Sequence, residues 1–214
     1  MSTPLDFLRI IDGSDRRIAA SVIRIGLWAA SFPYRFAIGL RNRSFDRGTN
    51  VSRVDVPVIS VGNLTTGGTG KTPVVAFLAK WFRDRGVRVA IVSRGYGRGD
   101  ADENDEALEL HQRLPDVPHL QDPDRVQSAR IAIEELGTQL ILMDDGFQHR
   151  RLDRDLDIVL IDATCPFGHG YLLPRGLLRE PTSSLARADA VLLTRSDLVE
   201  QRCLSEIEKT VKKF

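Results

Sequence analysis

The 214-residue chain has the composition of an ordinary folded protein, with 42% hydrophobic residues, 28% charged residues and a formal net charge of +1. This charge gives no global electrostatic argument for nucleic-acid binding, and the length predicts one large domain, or one domain with part of a second. Cys165 and Cys203 are too few for a disulfide framework or a cysteine-rich metal site, so a reducing cytosol is expected. Residues 1–6 lack the basic and apolar regions of a secretory signal.

The first 53 residues form an arginine-rich segment, with nine arginines, four aspartates and neither lysine nor glutamate. Apolar residues recur there at spacings of three and four, which predicts an amphipathic helix that bends near Pro33. Its apolar face comprises Ile18, Val22, Ile25, Ala29, Phe32, Phe36 and Leu40. Arg24, Pro33 and Arg35 interrupt this face, whereas a membrane-spanning helix needs about 20 consecutive apolar residues. Two interpretations stay open: an interfacial helix on an anionic membrane, or a helix packed on its own domain.

Residues 57–72 carry the strongest chemical signal in the chain. An apolar run over residues 58–61 predicts a buried parallel strand, a glycine-rich turn follows, and residues 73–82 have a helical pattern. A strand, a glycine-rich turn, Gly-Lys-Thr and a helix together are the context of a phosphate-binding P-loop. The candidate nucleotide-binding residues are Thr65, Thr66, Gly67, Gly68, Thr69, Gly70, Lys71 and Thr72.

Each residue type in this loop suits the binding of a nucleoside triphosphate. Glycines let backbone N–H groups approach phosphate oxygens, and the following helix offers unpaired N–H groups and a positive dipole end. Lys71 can reach the β- and γ-phosphates, and the Thr72 hydroxyl can ligate Mg²⁺. Thr65 stands where the usual pattern opens with glycine, and it would be strained in a left-handed backbone. The alternative is a glycine-rich turn that binds nothing.

A second predicted strand, residues 87–93, leads into a loop that contains Arg94, Tyr96 and Arg98. Because ligands bind at the carboxyl ends of parallel strands, these side chains would lie near the P-loop if the two strands were neighbours. The alternative is a flexible loop with solvated arginines. The glycine spacing of this loop is not that of a dinucleotide-binding turn, so hydride transfer is discounted.

Residues 100–110 carry six carboxylates, a pattern that most often forms a solvated surface. Asp105 and Glu106 stand at a predicted helix start, and one of these acids could act as a base if the segment faces the γ-phosphate. Three prolines within residues 112–123 predict a loop, and residues 124–136 predict a further helix.

Three later apolar runs end in polar residues. Residues 138–145 predict a strand that ends in Asp144 and Asp145, where P-loop enzymes hold a Mg²⁺-directed carboxylate, and Asp144 is the better geometric fit. Asp162 ends another predicted strand and is a weaker competitor for that role. Residues 190–197 form the last run, whose tail resembles the base-reading tetrapeptide of GTPases although two of the usual residues differ.

The loop of residues 167–181 is glycine-rich, apolar and basic at once. Its arginines, Arg175 and Arg179, could hold a phosphorylated and partly apolar substrate. The alternative is a structured connection with surface arginines.

Four motifs follow one another along the chain: VGNLTTGGTGKTP at residues 61–73, SRGYG at 93–97, DDGFQH at 144–149 and FGxGxLLPxGxLREP at 167–181. This ordered set resembles the tetraacyldisaccharide 4′-kinase family, the lipid A 4′-kinases, over about residues 20–197. The resemblance implies an α/β fold of the P-loop NTPase type, with a mostly parallel sheet flanked by helices. It divides the chain into a membrane-associating helical segment, residues 1–53, and a kinase core, residues 54–214.

Members of this family use ATP and Mg²⁺ to phosphorylate the 4′-hydroxyl of a tetraacylated glucosamine disaccharide 1-phosphate, which forms lipid IV-A in lipid A biosynthesis. The resemblance therefore implies a peripheral protein on the cytoplasmic face of the inner membrane, held there by residues 18–40. It implies neither a nucleic acid nor a protein partner. Family members also open the loop with serine or threonine, as Thr65 does here.

The resemblance assigns roles to individual residues as well. It implies Asp105 as the catalytic base and Glu106 as a nucleotide contact, although this pair lacks the family's flanking glycine and proline. Lys71 and Asp145 would complete the catalytic set. The Mg²⁺ carboxylates of the family map to Asp144 and Asp145.

Family members continue into a smaller C-terminal lobe that supplies a histidine partner for the catalytic aspartate, whereas this chain ends at Phe214, just after a predicted helix over residues 198–211. We therefore expect either a fragment or an incomplete active site. Two rival functions stay open: a switch GTPase or ATPase, for which residues 194–197 are the specific support, and a non-catalytic membrane-associated nucleotide-binding module.

Overall fold

The computed structural model describes residues 4–95 and 105–214. Six parallel strands in this part of the chain form one sheet in the order β3-β2-β4-β1-β5-β6. The strands are β1 Val58–Asn63, β2 Val89–Ser93, β3 His119–Gln121, β4 Leu140–Asp144, β5 Leu156–Asp162 and β6 Ala190–Thr194. The predicted α/β class with a parallel sheet is confirmed.

Helices cover both faces of this sheet. The α-helices are α1 Pro4–Ile11, α2 Ile18–Asp46, α3 Lys71–Arg83, α4 Asp105–Arg113, α5 Arg125–Leu136 and α6 Gln201–Val211. Alternate residues of β1, β2 and β4 pack against α3 and α4 on one face and against α5 on the other. A third cluster joins β5 to α6 and to the segments that follow β1 and β4. Burial on both faces explains why these strands read as continuous apolar runs.

The element boundaries correct the sequence predictions in three places. The segment of residues 112–123 is not all loop, because His119–Gln121 forms the short edge strand β3, which pairs with β2. The prolines before this strand favoured a loop, and a three-residue strand has almost no periodicity of its own from which to predict it. The strand predicted from residue 87 begins at Val89, and the last helix begins at Gln201.

The sheet order also decides how the loop after β2 relates to the P-loop. Strand β4 lies between β1 and β2, so the two strands are not neighbours. Arg94 is exposed just beyond the end of β2, two strands from the P-loop strand. Tyr96 and Arg98 lie outside the described residues.

The N-terminal helix α2 extends through Pro33 as one 29-residue element. The predicted helix is confirmed, and the large side chains of its predicted apolar face are exposed: Ile18, Val22, Ile25, Phe32, Phe36 and Leu40. Arg24 does not belong to that exposed face, since its guanidinium donates to the Ile10 and Asp15 carbonyl oxygens and ties α2 to α1. None of the helices in the described ranges is both long and apolar enough to cross a bilayer.

The C-terminal half of α2 is fastened to the core through polar contacts. The Tyr34 hydroxyl donates to the Arg179 carbonyl oxygen over 2.9 Å, and the Asn42 amide donates to the Glu180 carboxylate over 2.9 Å. Glu180 is completely buried and also pairs with Arg187 at 2.9 Å. The amphipathic helix therefore contacts the very segment that carries Arg179, one of the predicted site residues.

Candidate active site

The P-loop connects the end of β1 at Asn63 to the start of α3 at Lys71. Gly67 and Gly70 have φ values of 112° and 80°, a backbone region that glycine adopts without a steric penalty. Thr65 is buried and is absent from the positive-φ residues of the described chain, so the strain considered for it does not arise. An isolated antiparallel bridge instead pairs Thr65 with Leu178, so the P-loop contacts the residue directly before Arg179.

Lys71, Asp145 and Arg179 meet at the carboxyl edge of the sheet. The Lys71 Nζ atom lies 3.5 Å from Asp145 Oδ1, and Arg179 Nη1 lies 2.9 Å and 2.8 Å from the two Asp145 carboxylate oxygens. Burial alone would raise the pKa of Asp145, but the charges of Lys71 and Arg179 outweigh it and hold that pKa below its ordinary value. The structure thus brings together one predicted residue from each of three distant motifs.

Asp144 lies deeper than Asp145, beside the P-loop strand. It ends β4 in register with Val61 of β1, it is buried, and its Oδ1 accepts from the Asp145 backbone N–H over 2.8 Å. Thr72 is buried in the first turn of α3. A carboxylate and a hydroxyl are the hard oxygen donors that Mg²⁺ prefers, and this ion commonly takes its other ligands from phosphates and water. These two residues therefore fit a Mg²⁺ site.

Two glycines let the DDGFQH segment lie directly on β1. A Cβ atom at Gly62 would come within 2.5 Å of Phe147 Cβ, and one at Gly146 would come within 2.4 Å of Ser60 Oγ. The Gly146 N–H donates to the Val61 carbonyl over 3.1 Å. This close backbone approach holds the two aspartates at the P-loop.

Arg154 hydrogen-bonds to the DDGFQH segment and to the residues that follow it. Its guanidinium donates to the carbonyl oxygens of Gly146, His149 and Leu152 at 3.3, 2.5 and 3.2 Å, and to Asp157 at 3.1 Å. His149 is held neutral in this setting, because burial and then the nearby positive charges lower its pKa from 6.5 to about 4. Its Nε2 atom is buried without a hydrogen-bond partner in the described structure.

We expect the neutral state of His149 to affect how the free energy of unfolding depends on pH. The pKa of His149 is lower in the folded protein than in the unfolded chain. Its contribution to the free energy of unfolding is therefore fully present above pH 6.5 and is lost as the pH falls towards about 4. His149→Asn should reduce the fall in unfolding free energy between about pH 7 and about pH 5 by on the order of 1 kcal/mol, after discounting for solvent screening. Urea unfolding measures it, with the exposed His111→Asn as control. An unchanged pH profile in His149→Asn would contradict the expectation.

The structure separates the three predicted substrate arginines. Arg179 lies in the site, whereas Arg175 donates to the Ile11 carbonyl over 2.7 Å and stacks on Tyr171 at 4.3 Å. Arg175 therefore holds α1 against the glycine-rich loop, and no contact within the described ranges joins it to Lys71 or Asp145. Arg94 follows β2, which pairs with β4 and is two strands from the P-loop strand β1.

Two predicted residues fall outside the described side chains. Helix α4 is described from Asp105 to Arg113, but the side chains of Asp105 and Glu106 are not among those described. Their roles as base and nucleotide contact stay predictions. Asp162, the competitor for the metal role, instead pairs with Arg195 and accepts from the Thr164 hydroxyl over 2.6 Å.

Sequence reasoning missed two residues of the site. Gln148 lies 3.3 Å from Arg179 through its Oε1 atom, and its Nε2 atom donates to the Asn63 carbonyl over 2.9 Å. Asn63 in turn donates from its side chain to Thr69 over 2.9 Å. Asn63 lies two positions before Thr65 and Gln148 three positions after Asp145, each within a quoted motif, and that proximity was the available signal.

Curated relatives match this chain over about half of their own length. The tetraacyldisaccharide 4′-kinase of Anaeromyxobacter dehalogenans strain 2CP-C is 46% identical, and the match covers 80% of this chain and 50% of that protein. The tetraacyldisaccharide 4′-kinase of Syntrophus aciditrophicus is 47% identical, with 75% of this chain and 48% of that protein covered. The chain therefore spans about half the length of the curated relatives it matches.

Two solved structures resemble this chain to different degrees. LpxK from Aquifex aeolicus, solved in complex with ATP, is 37% identical with a TM-score of 0.75, over 82% of this chain and 60% of that chain. FtsY from Mycoplasma mycoides is 16% identical with a TM-score of 0.51, over 77% of this chain and 59% of that chain. The second likeness shows a shared fold alone.

The sequence profile of the family described as LpxK, tetraacyldisaccharide-1-P 4′-kinase, matches residues 23–214. This range contains the P-loop, the two aspartates after β4 and the loop that carries Arg179. The resemblance drawn from the four ordered motifs is confirmed, and the chain belongs to the tetraacyldisaccharide-1-P 4′-kinase family.

Proposed function

We propose that this chain binds ATP with Mg²⁺ and directs the γ-phosphate to the 4′-hydroxyl of a tetraacylated glucosamine disaccharide 1-phosphate. The observation that carries the proposal is the cluster of Lys71, Asp145 and Arg179 at the mouth of the P-loop. Phosphoryl transfer depends mainly on positioning and on neutralising phosphate charge, and this cluster concentrates two cations where the P-loop would hold a triphosphate.

Each residue of the cluster has a proposed role. Lys71 contacts the β- and γ-phosphates, while the backbone N–H groups of residues 65–72 surround the phosphate chain. Thr72 and Asp144 hold Mg²⁺, which when bound neutralises phosphate charge. Asp145 is the second candidate ligand, and in the free protein its carboxylate keeps Lys71 and Arg179 oriented.

The acceptor end of the reaction rests on other residues. Arg179 is the candidate for the charge that develops on the transferred group, because it lies against Asp145 at hydrogen-bond distance. Asp105 as the base and Glu106 as a nucleotide contact follow from the family motif alone. Arg94 and Arg175 stay candidates for the substrate phosphate, and the contact of Arg175 with Ile11 favours a structural role for it.

We also propose that α2 binds the cytoplasmic face of the inner membrane peripherally, through residues 18–40. Its apolar side chains are exposed along one face, and Arg35, Arg43 and Arg47 are exposed along the same helix or at its end, as anionic lipid would require. Tyr34 and Asn42 join the helix to the Arg179 segment, so an acylated substrate in the membrane would lie near the site.

We expect Phe36→Glu to weaken binding to vesicles of anionic phospholipid by at least about tenfold, since burying a phenylalanine side chain contributes roughly 1.5–3 kcal/mol. Phe36 is 67% exposed on α2, and Phe77, which is 64% exposed on α3, offers a matched control. Co-sedimentation with vesicles measures both variants. Equal losses in Phe36→Glu and Phe77→Glu would contradict a binding face on α2.

The function is tested by ATP turnover with and without the tetraacylated disaccharide 1-phosphate in mixed micelles, with the lipid followed by mass spectrometry. Lipid-dependent ADP formation with one phosphate added to the lipid supports the kinase. ATP binding without a phosphorylated lipid supports the non-catalytic module instead. Lipid-independent hydrolysis would support the switch NTPase, which the family match does not favour.

A further inference from the structure

The turn after β6 contacts the P-loop from across the sheet. Thr194 ends β6, which is separated from the P-loop strand β1 by β5. Its hydroxyl donates to the Thr69 carbonyl oxygen over 3.0 Å. Its Cγ2 atom would lie 3.8 Å from a Cβ atom built on Gly70. The proposed roles leave this tail of an apolar run, residues 194–197, unused.

Thr69 is therefore held from two sides. Asn63 fixes its side chain through a buried hydrogen bond of 2.9 Å, and Thr194 fixes its backbone carbonyl. In a planar trans peptide the carbonyl and the next N–H point in opposite directions. A Thr69 carbonyl bound to Thr194 therefore fixes the direction of the Gly70 N–H, and Gly70 itself has a left-handed φ of 80°.

Thr194 itself is firmly positioned. It pairs with Asp162 in the β5–β6 ladder, and its carbonyl oxygen accepts from the Ala163 N–H over 3.0 Å. The next residue, Arg195, adopts a left-handed φ of 52° and pairs with the Asp162 carboxylate. The turn after β6 is thus anchored independently of the P-loop that it contacts.

We propose that Thr194 is a positioning residue for the P-loop: its hydroxyl orients the Thr69–Gly70 peptide so that the Gly70 N–H faces the bound phosphate. The proposal rests on the nucleotide binding proposed above. It assigns to the turn after β6 a part in phosphate binding rather than in reading a base. The hydroxyl and the methyl group of Thr194 have separate contacts, and they can be removed one at a time.

The test compares three variants of the full 214-residue chain. Thr194→Val keeps the shape and the methyl contact but removes the hydroxyl, Thr194→Ser keeps the hydroxyl, and Thr164→Val removes a nearby hydroxyl that bonds to Asp162 instead. We expect Thr194→Val to raise the Kd for Mg²⁺-ATP and for ADP in calorimetry by roughly fivefold to tenfold, the usual effect of one lost hydrogen bond. Thr194→Ser should lie much closer to the parent chain, and Thr164→Val should match it.

A nucleotide-free measurement keeps the inference separate from the proposed function. Amide hydrogen exchange at Gly70 and Lys71, followed by NMR, should be faster in Thr194→Val than in the parent chain or in Thr164→Val. Unchanged exchange, or an unchanged Kd in a chain that binds ATP, would overturn the positioning role. A parent chain that binds no nucleotide would overturn the proposed function, and with it the phosphate-directed role of Thr194.

Discussion

Replacing Lys71 by alanine should lower the lipid-dependent ATP turnover proposed for this chain by about 100-fold or more, the usual effect of removing a charge-stabilising group from a reacting phosphate. Lys71 is the P-loop cation, and its Nζ atom already lies 3.5 Å from Asp145 in the free protein. The substitution removes the proposed phosphate contact and leaves Asp145 with Arg179 as its remaining ion-pair partner within the described contacts. Turnover and the Kd for Mg²⁺-ATP, measured together, separate a loss of binding from a loss of rate.

Lys80→Ala is the matched control for that experiment. Lys80 lies on the same helix, but its side chain is 61% exposed and it pairs with Asp84 one turn further along. An exposed pair of this kind contributes at most about 1 kcal/mol, so neither turnover nor ATP affinity should change noticeably. Full activity in Lys71→Ala would contradict the proposed contact of Lys71 with the β- and γ-phosphates.

Gly62→Ala should reduce the free energy of unfolding by about 3 kcal/mol, at the upper end of the usual effect of overpacking. The added Cβ would come within 2.6 Å of the Phe147 backbone nitrogen as well as 2.5 Å of its Cβ atom, and backbone cannot move aside as a side-chain end can. Displacement of Phe147 would also shift the segment that begins with Asp144 and Asp145. The free energy of unfolding, measured with urea, and the affinity for ATP should therefore both decrease.

The control for this prediction is Gly39→Ala on α2. A Cβ atom at Gly39 meets nothing within 4 Å, and alanine in a helix interior is favoured over glycine by roughly 0.5–1 kcal/mol. Gly39→Ala should thus leave the protein as stable as before or slightly more stable. A Gly62→Ala protein with unchanged unfolding would show that the segment after β4 does not lie against β1 as described.

Local pattern was enough for the P-loop and for the acids that end β4. A strand, a glycine-rich turn and a helix are neighbours in sequence, so their chemistry is visible within residues 57–82. The same holds for the apolar face of α2, because helix periodicity depends only on spacing along the chain. Order among four motifs then identified the family, although each motif is short.

Other features depend on partners far apart in sequence, and local pattern does not encode them. Arg175 and Arg179 look alike in the sequence, yet one contacts Ile11 and the other Asp145. Strand order placed β4 between β1 and β2, which moved Arg94 away from the P-loop strand. The bond from Thr194 to Thr69 joins residues 125 positions apart.

The sequence by itself determined the fold class, the family and the place of the glycine-rich loop between a strand and a helix, because these rest on residue types at short, regular spacings. Only the tertiary structure decided which arginine contacts the Asp145 carboxylate and which residue of β6 contacts the P-loop. Such contacts arise when strand pairing and helix packing bring distant segments together, and the free energy that selects them belongs to the whole core.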